Sequence, residues 1–215
     1  MKTSQSLTAA VAATGILTAL NSHADPVADL VAKIKSPDDT VRGPAWQGAA
    51  SAGAAAVTPL AGVMSDADFE VARAARRAVW VIVRHAGRPG AEGERKAVQV
   101  ALVPLLRGQP APVGKEVLWM LSEIGDAAAV APMAALLSDV ELREDARCAL
   151  LRLPGPEVAE ALRAAFKTAP EDFKVALAES LRQRGQAVPG YPSQKLVPVK
   201  PTSLSPKPGA TKPGQ

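Results

Sequence analysis

The chain has little with which to do covalent or metal chemistry. It holds one cysteine, Cys148, which excludes an intramolecular disulfide and a zinc site built from thiolates. It holds two histidines, His23 and His85, and His23 falls in a segment expected to be removed. GxSxG, HExxH, phosphate-loop and CxxCH patterns are absent from the sequence. Aromatic residues are 3% of 215 positions, and no run of alternating β-branched residues argues for strands. Acidic residues stop at Glu179, while Lys195, Lys200, Lys207 and Lys212 follow without counter-charge. The formal charge of +4 therefore belongs to the ends: residues 25–184 hold 20 basic and 21 acidic side chains, a net of −1. The high isoelectric point is no argument for a nucleic-acid-binding face.

What is present is a 47% apolar chain dominated by alanine, leucine and valine, which suits helices at close approach and suits a sheet badly. Residues 113–153 show the organisation best. Val113, Val117, Leu121 and Ile124 recur at helical spacing, Gly125 is expected to stop that helix, and Asp126 offers a cap for the next. The unit is helix, tight turn, helix. Gly53, Gly87, Gly125, Pro154-Gly155 and Gly185 mark the ends of successive first helices, read as VRGPAWQGAASAG, VARAARRAVWVIVRHAG, VGKEVLWMLSEIG, LREDARCALLRLP and FKVALAESLRQRG. An apolar-x-Pro-apolar pattern recurs at Val57-Thr58-Pro59-Leu60, Leu102-Val103-Pro104-Leu105 and Val130-Ala131-Pro132-Met133. Those prolines are expected in the first turn of each second helix, where the missing N–H costs nothing.

The Val-Arg opening, the Ala-x-x-Ala-Leu middle, the Ile-Gly close and the Ala-Val-x-Pro second helix resemble HEAT repeats, of the short type also found in phycobilisome-lyase proteins. The resemblance spans about residues 25–185. It implies an all-α fold, a right-handed α–α superhelix of about five helix pairs. It further implies a non-catalytic scaffold whose partner is a protein or peptide laid along a ridge or groove. No catalytic residue, cofactor or metal is assigned. A bilin-lyase-like or other cofactor-handling accessory is the rival that the same resemblance allows. The chain departs from the pattern at Gly114, where arginine is expected, and at Glu160, where proline is. It departs again at Arg184, where an apolar residue is, and in about ten extra residues after Gly87, read as a loop or as an extension of the following helix.

The register predicts two core layers, one of Ala45, Val79, Val117, Ala146 and Leu177, the other of Ala49, Val83, Leu121, Leu150 and Leu181, and an opening helix with Val27, Leu30, Val31 and Ile34 inward. Cys148 is expected to be a small buried hydrophobe. Eleven residues before each marker stand Arg42, Arg76, Arg143 and Lys174, and seven before the first two stand Trp46 and Trp80. Arg42–Trp46 and Arg76–Trp80 are four apart, a spacing that permits cation–π stacking on a helix. These six residues are the candidate partner-binding ridge, since tryptophan and arginine are favoured at interface hot spots. The alternative is that the arginines bridge to aspartates such as Asp39, Asp139 and Asp172 while the tryptophans cover helix seams. The cluster Arg73, Arg76, Arg77, Arg84 and Arg88 reads as a solvated face, or else as a phosphate site.

Residues 1–24 carry Lys2, an uncharged stretch over 7–20 and Ser22-His23-Ala24, which together read as a secretory signal peptide cleaved after Ala24. The alternative is an Ala-rich first helix. Export without disulfides points to a secreted or periplasmic protein without a membrane span. Residues 186–215 are expected to be a disordered tail, since the stretch from Val188 has seven prolines and four lysines. The tail is a tether, or a weak contact with an anionic envelope surface.

Overall fold

A computed structural model of the chain describes residues 25–193. The expected signal peptide and the tail beyond 193 lie outside the described residues. Within them the chain is helical throughout, with no strand. Ten α-helices follow in order: α1 (Pro26–Ile34), α2 (Asp39–Gln47), α3 (Val57–Val63), α4 (Phe69–Ala86), α5 (Glu92–Leu102), α6 (Ala111–Ile124), α7 (Ala127–Ala134), α8 (Arg143–Arg152), α9 (Glu157–Thr168) and α10 (Glu171–Gln183). Three 3-10 segments, Ala49–Ala56, Val103–Leu106 and Ala135–Ser138, lead into α3 and continue α5 and α7. No helix among the described residues is long and apolar enough to cross a membrane.

Aspartate starts several of these helices. Asp25, Asp38, Asp68 and Asp126 accept from the backbone N–H two residues on at 2.8–3.0 Å, opening α1, α2, α4 and α7. Each such cap stabilises its helix by about 1 kcal/mol. The helix ends use glycine in two different ways. Gly185 (φ +73°) takes the left-handed conformation that closes α10, with its N–H on the Arg182 carbonyl and that of Gln186 on the Leu181 carbonyl. Gly125 is extended (φ −69°, ψ 155°) and serves a different need. A Cβ there would sit 2.5 Å from the Leu121 carbonyl oxygen, 3.1 Å from Leu153 Cδ2 and 3.3 Å from Ala129 Cβ. Glycine at 125 is a close approach rather than a left-handed turn.

The prolines correct the expected second-helix starts. Pro59 does lie in the first turn of α3, but Pro104 sits in the 3-10 segment after α5, and Pro132 lies inside α7. A proline lacks the N–H that would bond four residues back, and 3-10 geometry holds at Pro104 and begins three residues after Pro132. In α9, where Glu160 replaces proline, twelve residues run without a 3-10 break. The first copy also departs from a continuous helix over 41–53. With Gly43, Pro44 and Gly48 it gives a short α2 followed by a 3-10 segment kinked at Gly53 (φ +57°). The extra residues after Gly87 extend a helix: α5 begins at Glu92, after a turn through Gly90 (φ +80°).

Packing runs between neighbours. One series of contacts passes α2 to α4, α4 to α6, α6 to α8 and α8 to α10; a second passes α3 to α5, the 3-10 extension of α5 to α7, and α7 to α9. α1 packs on α2, α3, α4 and the 3-10 segment between α2 and α3. Nine of the ten predicted core positions are buried, and Ala45 is half-buried against them. Leu30 and Ile34 of α1 are buried, with Val27 and Val31 packed beside them. Gly114 is buried facing Leu142, whose Cδ1 would be 3.3 Å from a Cβ, so an arginine has no room there. Arg184 does not merely face water. It donates to the carbonyls of Leu150, Leu151, Leu153 and Gly155, satisfying the end of α8 from the far end of α10.

The first eight residues of the expected tail are docked. Tyr191 meets Phe166 edge to face at 5.1 Å, its hydroxyl donates to Glu171, and its carbonyl accepts from Arg182. Gln186 accepts from Arg163, and Val188 packs on the core. Tyr191 and Val188 are the apolar anchors of this stretch.

Candidate partner-binding face

The predicted ridge residues lie on α2, α4, α8 and α10, but neither expected arginine–tryptophan stack forms. Arg42 does not stack on Trp46. It is buried at 6% exposure and turns back to the Ser36 carbonyl (2.6 Å) and to Asp39. Trp46 is covered instead by Arg77 from α4, 5.1 Å above its ring. Arg76 does not stack on Trp80 but pairs with Glu116 at 3.4 Å. The guanidinium on Trp80 is that of Arg84, at 5.1 Å. Arg143 pairs with Asp172 (2.8 Å) and lies 4.8 Å from the Phe173 ring, and Lys174 pairs with Glu171 at 3.4 Å.

These contacts make a ladder across the first series of helices. Arg77 of α4 lies on Trp46 of α2. The Trp80 indole N–H donates to Glu116 of α6 at 2.8 Å. The Trp119 indole N–H donates to Asp145 of α8 at 3.0 Å, where Lys115 also pairs at 3.6 Å. Arg147 of α8 donates to the buried Ser180 hydroxyl of α10 at 2.7 Å. The bridging alternative thus holds for Arg42–Asp39 and Arg143–Asp172; Asp139 instead accepts backbone N–H groups of Glu141 and Leu142. Within the second series, Gln99 of α5 and Asp126, the cap of α7, exchange two hydrogen bonds at 2.7 and 2.9 Å.

Glu116, Asp145 and Ser180 were missed by the sequence reading, and Arg77 and Arg84 were placed in the basic cluster of α4 but not on the tryptophans. One signal was present: Glu116 and Asp145 each stand nine residues before the end marker of their own copy. Arg77 and Arg84 carried no such signal.

The polar links set the local electrostatics. The Gln99 amide, then the Ala128 N–H, hold the Asp126 carboxyl below its usual range. Arg147 does the same to Glu144, and Arg143 to Asp172. Cys148 is half-buried rather than fully buried, in contact with Arg147 at 3.1 Å, and burial pushes its thiol up. His85 lies 3.6 Å from Glu94, which is gripped at both oxygens by Arg88 at 2.8 and 2.5 Å. Among the described residues no group of three histidine, cysteine or carboxylate side chains is placed to hold a metal.

Two hollows are relevant to binding. One, of about 660 Å³ between α7 and α9, is walled mainly by alanines, with Arg143 its one titratable residue. The other, of about 210 Å³, lies between α2 and α4 and is lined by Arg42, Trp46, Arg73 and Arg77 with Asp39 and Glu70. No family model matches the chain, and no curated protein matches it.

Proposed function

We propose that the chain is a non-catalytic scaffold of HEAT-like repeats that binds a protein or peptide. In this reading the helix pairs stack into a right-handed superhelix, each pair covering the apolar side of the next. The signal-peptide pattern of residues 1–24 adds export to the periplasm or medium. The observation that carries the reading is the row of tryptophans at successive helix joints. Trp46, Trp80 and Trp119 are each half-buried: the indole N–H groups of Trp80 and Trp119 are used inside the stack, while part of each ring stays exposed. Such rings, fixed in place before a partner arrives, lose little entropy on binding. The row supports an interface on the α2–α4–α6 side.

The test is affinity capture from a cell-envelope extract with wild type and with Trp46→Ala/Trp80→Ala, both checked for helix content by circular dichroism. The proposal expects specific proteins to be lost from the double variant. Equal recovery of every protein by a folded double variant refutes it.

A further inference from the structure

The small hollow between α2 and α4 has an unbalanced lining. Three guanidinium groups, of Arg42, Arg73 and Arg77, meet two carboxylates, of Asp39 and Glu70, leaving one positive charge over. Arg42 is bonded to Asp39 and to the Ser36 carbonyl and forms the fixed floor. Arg73 is bonded to Glu70. Arg77 carries the excess: it makes no ion pair among the described residues, and its contact is the face of Trp46.

A guanidinium lying on an indole uses its flat face for the stack. Its N–H donors lie in its own plane and remain available, in the fork geometry that fits a carboxylate with two parallel bonds. The hollow's volume of about 210 Å³ is too small for a cofactor-sized ligand and large enough for one side chain. Its single excess charge matches a carboxylate, whereas a phosphate monoester brings about −1.5 to −2. The arrangement recurs once along α4. Arg84 lies on Trp80 without an ion pair among the described residues, seven residues on, which is about 10 Å along a helix.

We propose that the α2–α4 hollow is a carboxylate-binding subsite, with Arg77 the ligating residue and Trp46 its wall, and that it takes an aspartate or glutamate side chain of an acidic peptide segment. Arg84 on Trp80 receives a second carboxylate of the same segment. This rests on the scaffold reading and names the chemistry of the partner.

The experiment titrates the full chain with an acetylated, amidated hexaglutamate peptide by calorimetry at low salt. Hexalysine, acetate and inorganic phosphate serve as comparison probes, and Arg107→Gln, in the exposed connection between α5 and α6, is the control variant. The expected result is binding that weakens at least tenfold in Arg77→Gln, several-fold in Arg77→Lys, and not at all in Arg107→Gln. Arg77→Lys keeps the charge and loses the planar fork. Added salt should weaken the wild-type binding. Hexaglutamate affinity unchanged in a folded Arg77→Gln, absence of binding to wild type, or displacement of the peptide by phosphate at a lower concentration than by acetate would each overturn the subsite. If hexaglutamate fails while the tryptophan-dependent capture succeeds, the scaffold stands and the subsite falls.

Discussion

Replacing Gly125 by alanine sets two effects of opposite sign against each other. The backbone at Gly125 (φ −69°, ψ 155°) is one that alanine adopts freely. On backbone grounds alone the change narrows the unfolded ensemble and should stabilise by about 0.4–1 kcal/mol. The new Cβ, however, would lie 2.5 Å from the Leu121 carbonyl oxygen, which is backbone and cannot swing away, and 3.1 Å from Leu153 Cδ2. Overpacking of this kind costs roughly 1–3 kcal/mol. The steric effect is the larger, so Gly125→Ala should destabilise by about 1–2 kcal/mol after the backbone gain is subtracted. Gly62, exposed within α3 with nothing inside 4 Å of its Cβ position, is the matched control. Gly62→Ala should stabilise by about 0.5–1 kcal/mol. Urea titration followed by circular dichroism reads both, as opposite shifts in midpoint at unchanged slope. A Gly125→Ala protein as stable as wild type, or more so, refutes the claim that Leu121, Leu153 and Ala129 leave no room for a side chain at 125.

Other outcomes follow from the same packing. Leu121→Ala removes a side chain with 0% exposure in the middle of the chain and should cost about 2–5 kcal/mol in the same titration. The Trp80–Glu116 bond should show a coupling of about 1 kcal/mol in a double-mutant cycle of Trp80→Phe with Glu116→Ala, and purely additive losses would deny it a bridging role. Thr40 holds the Asp38 carboxyl below its usual range, as Gln99, Arg147 and Arg143 do for Asp126, Glu144 and Asp172. Their folded values lie below their unfolded ones, so the stability they contribute is present at neutral pH. It is lost as pH falls through the unfolded carboxylate range near about 4 and below. The urea midpoint should be flat between about pH 7 and 5.5 and fall by about pH 3.5; a midpoint that rises on acidification contradicts the assignment.

The core was legible because apolar periodicity reports which side of a helix is covered. Val117, Leu121 and Ile124 announce a buried stripe whatever they pack against. The ladder was not legible, because its partners lie far apart in the chain: Trp80 and Glu116 are 36 residues apart, Trp119 and Asp145 are 26. The stacking pairs misled for a local reason. Helical side chains lean toward the amino terminus, so an arginine reaches back over an aromatic four residues before it. Arg84 on Trp80 and Arg73 on Phe69 have that order, whereas the expected Arg42–Trp46 and Arg76–Trp80 reverse it. Arg42 therefore reaches Ser36 and Asp39. At Pro59 the apolar-x-Pro pattern marked a helix start, but at Pro104 and Pro132 it did not, since a missing N–H inside a helix and one in its first turn look alike in sequence.

The proposed stacking of helix pairs is tested most directly by the distance between its ends. Spin labels at Gln47→Cys on α2 and Gln183→Cys on α10, both exposed, in a Cys148→Ser background, report that distance by pulsed electron resonance. Four successive steps between packed helices of about 8–10 Å each predict a separation of roughly 30–40 Å. A distribution centred below about 20 Å, as in a closed bundle whose first and last helices touch, would contradict it.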